Sequence, residues 1–226
     1  SWHHDPKSGV TYPTGMHWSK VPEFESADLK RVWEPSRFGW AFDLVRAHHL
    51  DPASGAGELF WELFDEWCEQ NPPNDGVNWS CGQEASIRLM AITCAAQAMP
   101  DLLTDERAGQ LRSFAQVTGA RVEANIAYAR SQRNNHHASE AVGLLTAAYW
   151  CVGQDSIRWQ AQGERELCEV AERLIFADGG SSQYSTNYHR VFVHDLLWAK
   201  LILERQDLDV PAPVEEAFER ATSFLL

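Results

Sequence analysis

The feature that most constrains this chain is a helical repeat of apolar residues. Segment 57–70, GELFWELFDEWCEQ, is the clearest example. Its apolar side chains recur at a spacing that places them on one face of a helix. They are Leu59, Phe60, Leu63, Phe64 and Trp67. The pattern stops before Pro72 and Pro73, as expected for residues that cannot continue a helix. The segment therefore predicts an amphipathic helix that buries one face.

Similar patterns fill most of the chain, whereas no alternating pattern predicts a strand. We predict helices near residues 37–49, 57–70, 82–99, 105–130, 137–152, 156–176, 188–206 and 213–225. Short loops marked by Gly or Pro would make consecutive helices antiparallel neighbours. The sequence thus predicts an all-α fold over residues 27–226, with helical hairpins stacked into an arc or toroid. Residues 1–26, rich in Gly, Pro, Ser and Trp, predict an irregular arm with one short hairpin.

The composition and net charge of the chain limit the kinds of molecule that it can bind. The net charge of −13 argues against non-specific nucleic-acid binding and against a basic membrane-surface protein. No run of about 18 apolar residues predicts a membrane span. An acidic ligand stays possible, because a local arginine cluster can outweigh distant negative charge within a Debye length of about 8–10 Å. The ten tryptophans either enlarge a core or line a groove for sugar rings, and composition does not separate these alternatives.

Three polar segments interrupt the amphipathic pattern. The first, NPPNDGVNWSCGQEASIRLM at 71–90, holds Trp79 and places Glu84 and Arg88 at positions i and i+4 of a predicted helix. It could be a helix cap followed by a stabilising Glu–Arg pair. Alternatively, these side chains could serve a site.

The second segment, SQRNNHHASE at 131–140, precedes a predicted helix. A single asparagine would be sufficient to cap that helix. The adjacent His136 and His137, with Arg130 and Arg133 just upstream, exceed what a cap requires. The segment therefore fits a site that holds an acidic group and moves a proton.

The third segment, FADGGSSQYSTNYHR at 176–190, begins with a turn and ends at the head of another predicted helix. Polar side chains gather there: Gln183, Tyr184, Asn187, Tyr188, His189 and Arg190. A tyrosine at this position could also be a half-buried core residue. Motifs for several other chemistries are absent, since the chain has no HExxH, no GxSxG and no Gly-rich phosphate loop. The sequence implies no metal and no cofactor.

In this order, the three segments resemble the N-terminal helical domain of the heparinase II/III-like polysaccharide lyases, which include alginate lyases. VWEPSR at 32–37 is similar to the segment that opens the helical part in that family. The resemblance covers nearly the whole chain. Gln183 stands where many relatives carry a glutamate.

The resemblance implies an incomplete α/α toroid followed by a large antiparallel β-sandwich domain, with the substrate cleft between the two. The present chain ends at ATSFLL, where the second domain would be expected. We therefore expect a fragment of a two-domain protein that has weak activity or none by itself. The resemblance favours a periplasmic or secreted location, and the sequence contains no signal peptide of its own.

The resemblance also implies the reaction, which is β-elimination in a uronic-acid polysaccharide. The hydrogen α to the uronate carboxylate is removed, and the glycosidic oxygen at C4 leaves. Asn135 and His136 match the pair that neutralises the carboxylate, and Tyr188 matches the catalytic tyrosine. A histidine or a phenol can transfer the proton.

Further substrate contacts are expected from five other residues. They are Trp79, Arg88, Arg133, His189 and Arg190. Two alternatives to the lyase remain at this stage. One is a non-catalytic carbohydrate-binding or scaffold domain, and the other is an α/α-toroid glycoside hydrolase, which would need two carboxylates flanking the bond. The sequence does not name the polymer.

Overall fold

A computed structural model describes all 226 residues. It contains ten α-helices, and its only β-structure consists of isolated bridges. The helices are α1 (Leu29–Ser36), α2 (Ala41–Leu50), α3 (Ala56–Gln70), α4 (Gly82–Ala98), α5 (Asp105–Glu123), α6 (Ile126–Gln132), α7 (Asn135–Trp150), α8 (Gln154–Arg173), α9 (Thr186–Glu204) and α10 (Ala212–Ser223). The predicted all-α class is confirmed. No helix combines the length and the hydrophobicity that a membrane crossing requires.

The chain divides into two compact units, Ser1–Leu111 and Arg112–Leu226. The first 26 residues contain no α-helix, and an antiparallel bridge joins His4 to Thr11. The buried carboxylate of Asp5 fixes this segment, because it accepts hydrogen bonds from the Ser8 hydroxyl at 2.7 Å and from Arg31 at 3.2 Å. This irregular segment is thus held by side-chain bonds together with the backbone bonds of one isolated bridge.

The helices differ from the prediction at two places by more than a small shift of their ends. The helix expected over 105–130 is broken after Glu123 and restarts at Ile126 as α6. At the break, the side-chain amide of Asn125 donates to the Arg121 carbonyl at 3.2 Å, which competes with the helical pattern. Helix α1 was not predicted, because its Pro35 suggested the start of the following helix.

Helix α7 is the centre of the second unit and packs against α6, α8 and α9. It is buried along nearly its whole length. Close approach of α8 depends on Gly163, where a Cβ atom would lie only 2.8 Å from the Cδ2 of Leu145. The absence of a side chain at Gly163 thus allows α7 and α8 to pack closely.

Candidate active site

The first turn of α7 begins with a cap made by Asn134. Its side-chain oxygen accepts the backbone N–H of His136 at 2.9 Å, and its carbonyl oxygen accepts the N–H of His137 at 3.1 Å. Arg133 ends α6 in the left-handed region, at φ 50°. Because Asn134 provides this cap, the side chains of Asn135 and His136 are not needed for it.

Asn135 connects the second and third polar segments. Its backbone N–H donates to the Oε1 of Gln183 at 2.9 Å, across 48 positions of sequence. Only 6% of Asn135 is exposed, and His136 next to it is half-buried. The turn that leads into α9 is thereby joined to the start of α7.

The hydrogen bonds of the first turn of α7 determine which of its groups are free to contact an acidic ligand. Helix N-termini attract anions through free N–H groups and the helix dipole. In α7 the N–H groups of Asn135, His136 and His137 already have acceptors. An anion at this turn would therefore be bound by side chains, with the dipole adding a smaller favourable term.

His137 is buried and is held by Glu166 of α8. Its Nε2 lies 2.7 Å from Glu166 Oε2, and Arg130 binds the same carboxylate through two nitrogen atoms. Burial alone would raise the pKa of Glu166, but hydrogen bonds from His137 and Arg130 outweigh burial and hold the pKa at about 2. An ionised carboxylate only accepts hydrogen bonds, so the Nε2 of His137 carries the proton.

Tyr188 lies in the first turn of α9 and is 46% exposed. Arg190, two residues further, is also exposed. His189, for which the sequence predicts a substrate contact, is 2% exposed, and its Nε2 lies 2.8 Å from the Ala221 carbonyl oxygen of α10. The side chain of His189 therefore packs between helices, which follows from its position on the inner face of α9.

In the first unit, Trp79 and Arg88 occupy the core instead of a surface. Trp79 is 1% exposed and donates its indole N–H to the Asn71 carbonyl at 3.2 Å, so burial leaves no ring face for a sugar. Arg88 is fully buried and donates to the carbonyls of Ser36 and Asn78. A role of either residue in substrate binding stays a prediction, and the contacts observed in this unit are with the core.

The expected Glu84–Arg88 pair takes a different form. Glu84 accepts two hydrogen bonds from Arg37, at 2.6 and 2.8 Å. Arg88 instead places its guanidinium 4.2 Å from the ring centre of Trp67. Burial lowers the pKa of Arg88 to about 10, although the nearby Glu84 charge opposes this shift. The first polar segment therefore builds a core rather than a ligand surface in this unit.

Two residues near the first turn of α7 were not recognised as partners from the sequence. Glu166 lies in the middle of an ordinary amphipathic helix, and no local motif marks it. Gln183 was noted, but nothing in its segment indicated that it binds the Asn135 backbone. No group of three or more His, Cys, Asp or Glu side chains is arranged to hold a metal ion.

The family described as "Heparinase II/III N-terminus" matches residues 2–226, and the chain belongs to this family. No curated protein is significantly similar to the chain.

Two solved structures share the fold. A crystal structure of heparinase III is 20% identical over 93% of this chain, with a TM-score of 0.68. A mutant of the heparan sulfate lyase HepC from Pedobacter heparinus is 18% identical over 99% of this chain, with a TM-score of 0.62. The chain spans about a third of these structures, 32% and 35% of their lengths. The expected helical domain of the heparinase type is therefore confirmed.

Proposed function

We propose that the chain is the helical domain of a lyase that cleaves uronic-acid polysaccharides by β-elimination, with Asn135, His136 and Tyr188 in the reaction. The main support is the contact between Asn135 and Gln183, which joins the segments that carry these residues. Membership of a polysaccharide lyase family supports the reaction class. The role of each residue rests on its chemistry.

Asn135 would stabilise the charge that develops on the uronate carboxylate. A hydrogen bonded to carbon α to a carboxylate is a very weak acid, so the transition state needs hydrogen-bond donors placed in advance. The side-chain amide of Asn135 provides two N–H donors. Loss of one donor of this kind costs roughly 2.7–4 kcal/mol of transition-state stabilisation in other enzymes.

Proton transfer would fall to His136 and Tyr188. The phenol of Tyr188 is accessible and can protonate the leaving glycosidic oxygen, or as a phenolate remove the α-hydrogen. His136 can bind the carboxylate or act as the base. A sugar that reaches both residues would complete the elimination without any other group from this unit.

The larger relatives support a proposal about the whole protein. Since the chain covers about a third of the heparinase structures, we propose that a C-terminal β-sandwich domain completes the cleft. By itself, the helical domain would leave the sugar hydrated on one side and would turn over slowly or not at all. Its partner is an acidic polysaccharide.

The reaction product tests this proposal. A panel of uronate polymers, including heparan sulfate and alginate, would be incubated with the 226-residue chain and with the same chain joined to the proposed β-sandwich domain. A lyase creates a conjugated double bond, which absorbs ultraviolet light. Saturated reducing ends would instead identify a hydrolase, and binding without any product would identify a carbohydrate-binding or scaffold domain. Either of these two results would contradict the proposal.

A further inference from the structure

A cavity with three arginines lies beside the first turn of α7. Its volume is about 720 Å³, and it is formed by the end of α6, by His137 of α7 and by the last turns of α8. The charged side chains that line it are Arg130, Arg133, Glu169 and Arg173. A cavity of this volume falls in the range of ligand pockets and can hold a sugar ring with its substituent.

The ion pairs around this cavity leave positive charge unbalanced. Arg130 binds Glu166 and lies 3.6 Å from Glu169, which also binds Arg173 at 2.6 Å. The guanidinium of Arg133 takes part in none of the described ion pairs, and its side chain is exposed. Three guanidinium groups thus face two carboxylates, one of them buried behind Arg130. The charge that remains at this cavity is positive, whereas the chain as a whole carries −13.

We propose that this cavity binds an oxyanion substituent of the polysaccharide, either a sulfate ester or a second carboxylate, through Arg133 and Arg173. Guanidinium groups suit this chemistry, since their planar N–H donors match the oxygens of sulfate and carboxylate. Arg173 donates to Glu169 through one of its nitrogen atoms, Nη1. A guanidinium has five N–H donors, so others remain for a ligand.

The position of the cavity indicates which sugar carries the substituent. Arg133 is two residues from Asn135, so their Cα atoms are at most about 7 Å apart. A sugar that adjoins a uronate bound at Asn135 is therefore within reach of Arg133, and we assign the substituent to that adjoining sugar. This inference rests on the proposed function for the location of the uronate, and it adds a subsite outside the reacting groups.

Binding of defined oligosaccharides to the 226-residue chain tests the subsite without reference to turnover. A sulfated uronate hexasaccharide and its desulfated counterpart would be titrated by calorimetry into the parent and into Arg133→Gln and Arg173→Gln. Arg165→Gln is the matched control, since it removes the same charge from α8 outside this cavity. Thermal unfolding of each variant checks the fold, and Arg133→Lys tests partial rescue by charge alone.

We expect Arg133→Gln to weaken binding about tenfold, the usual effect of losing a charge-assisted hydrogen bond, with the control unchanged. Weakening confined to the sulfated oligosaccharide identifies a sulfate ester, and equal weakening of both identifies a carboxylate. If both cavity variants bind like the parent, or weaken no more than the control, the subsite is wrong. Arginine-dependent binding by this chain, together with no unsaturated product from the protein that also carries the proposed β-sandwich domain, would contradict the proposed function alone.

Discussion

The imidazole of His137 donates its Nε2 proton to a carboxylate oxygen of Glu166 at 2.7 Å, and both side chains are almost completely buried. This bond ties the first turn of α7 to the middle of α8. Because Arg130 binds the same carboxylate, the end of α6 is fixed as well. The turn that carries Asn135 and His136 is thus held in place by bonds that converge on the buried carboxylate of Glu166.

Loss of the Glu166 charge should destabilise the protein in a defined pH range. The folded-state pKa of Glu166, about 2, lies below its usual value, so its contribution to stability is present above about pH 4.5 and is lost as the pH falls towards 2. We expect Glu166→Gln to lower the free energy of unfolding by about 3 kcal/mol at pH 7. Denaturant unfolding between pH 2 and 7 measures this difference.

The difference between parent and Glu166→Gln should shrink as the pH falls, because the parent carboxylate becomes protonated too. Glu164→Gln, on the same helix with a carboxylate outside this network, is a suitable control. A constant difference across the whole pH range would contradict the assigned pKa.

Two substitutions of Gln183 should show how much of its contribution to stability comes from its acceptor oxygen and how much from the size of its side chain. Gln183→Leu leaves the buried backbone N–H of Asn135 without its acceptor, and we expect a loss of about 1–3 kcal/mol in the free energy of unfolding. Gln183→Glu keeps the acceptor and adds negative charge at the α7 N-terminus, which should be neutral or stabilising by about 0.3–1 kcal/mol. Thermal unfolding of the two variants measures the difference. An equal loss of stability in both variants would show that the hydrogen bond is unimportant.

Tyr188→Phe should abolish most turnover on whichever polymer yields the unsaturated product. Proton transfer by a placed side chain contributes typically 10²–10⁴-fold to rate, and only a partly exposed hydroxyl is removed. Tyr184→Phe is the matched control, because Tyr184 is a neighbouring tyrosine that is 89% exposed. Unchanged turnover in Tyr188→Phe would assign proton transfer to another residue, and a large loss of stability would indicate a core role.

Asp195 of α9 should make the protein less stable as the pH rises. It is 3% exposed and accepts the Ser139 hydroxyl at 2.7 Å. Burial raises its pKa to about 7, partly opposed by that hydrogen bond. Between about pH 4 and pH 7 the folded state holds a proton that the unfolded state has lost. The free energy of unfolding therefore decreases as the pH rises through this range.

Asp195→Asn mimics the protonated acid and should remove this pH dependence. We expect the variant to be more stable than the parent by roughly 1–3 kcal/mol at pH 8 and similar to it near pH 4. Unfolding at the two pH values checks the prediction. A variant that is less stable than the parent at pH 8 would show that the ionised form has a compensating partner.

Arg88→Met tests whether the buried Arg88 contributes to stability or to substrate binding. The variant keeps the length of the side chain but loses the hydrogen bonds to the carbonyls of Ser36 and Asn78. Those buried carbonyls would lose a donor, and we expect a loss of about 2 kcal/mol or more in the free energy of unfolding. A variant of unchanged stability but reduced affinity for acidic oligosaccharides would restore the role in substrate binding.

The sequence by itself determined the all-α class and most helices, because the spacing of apolar residues directly reflects the period of a helix that buries one face. It also located the polar first turns of α7 and α9, since caps and turns use local residue types. Sequence resemblance further identified the family, from motifs whose order is preserved along the chain.

Only the tertiary structure decided which polar side chains are partners and which are buried. Glu166 lies 29 positions from His137, and Gln183 lies 48 positions from Asn135, so no local pattern could pair them. Trp79 and Arg88 have residue types that suit a sugar site or a core, and their burial depends on how several helices pack around them. Local periodicity fixes the helices, whereas burial and long-range hydrogen bonds arise only when those helices are assembled.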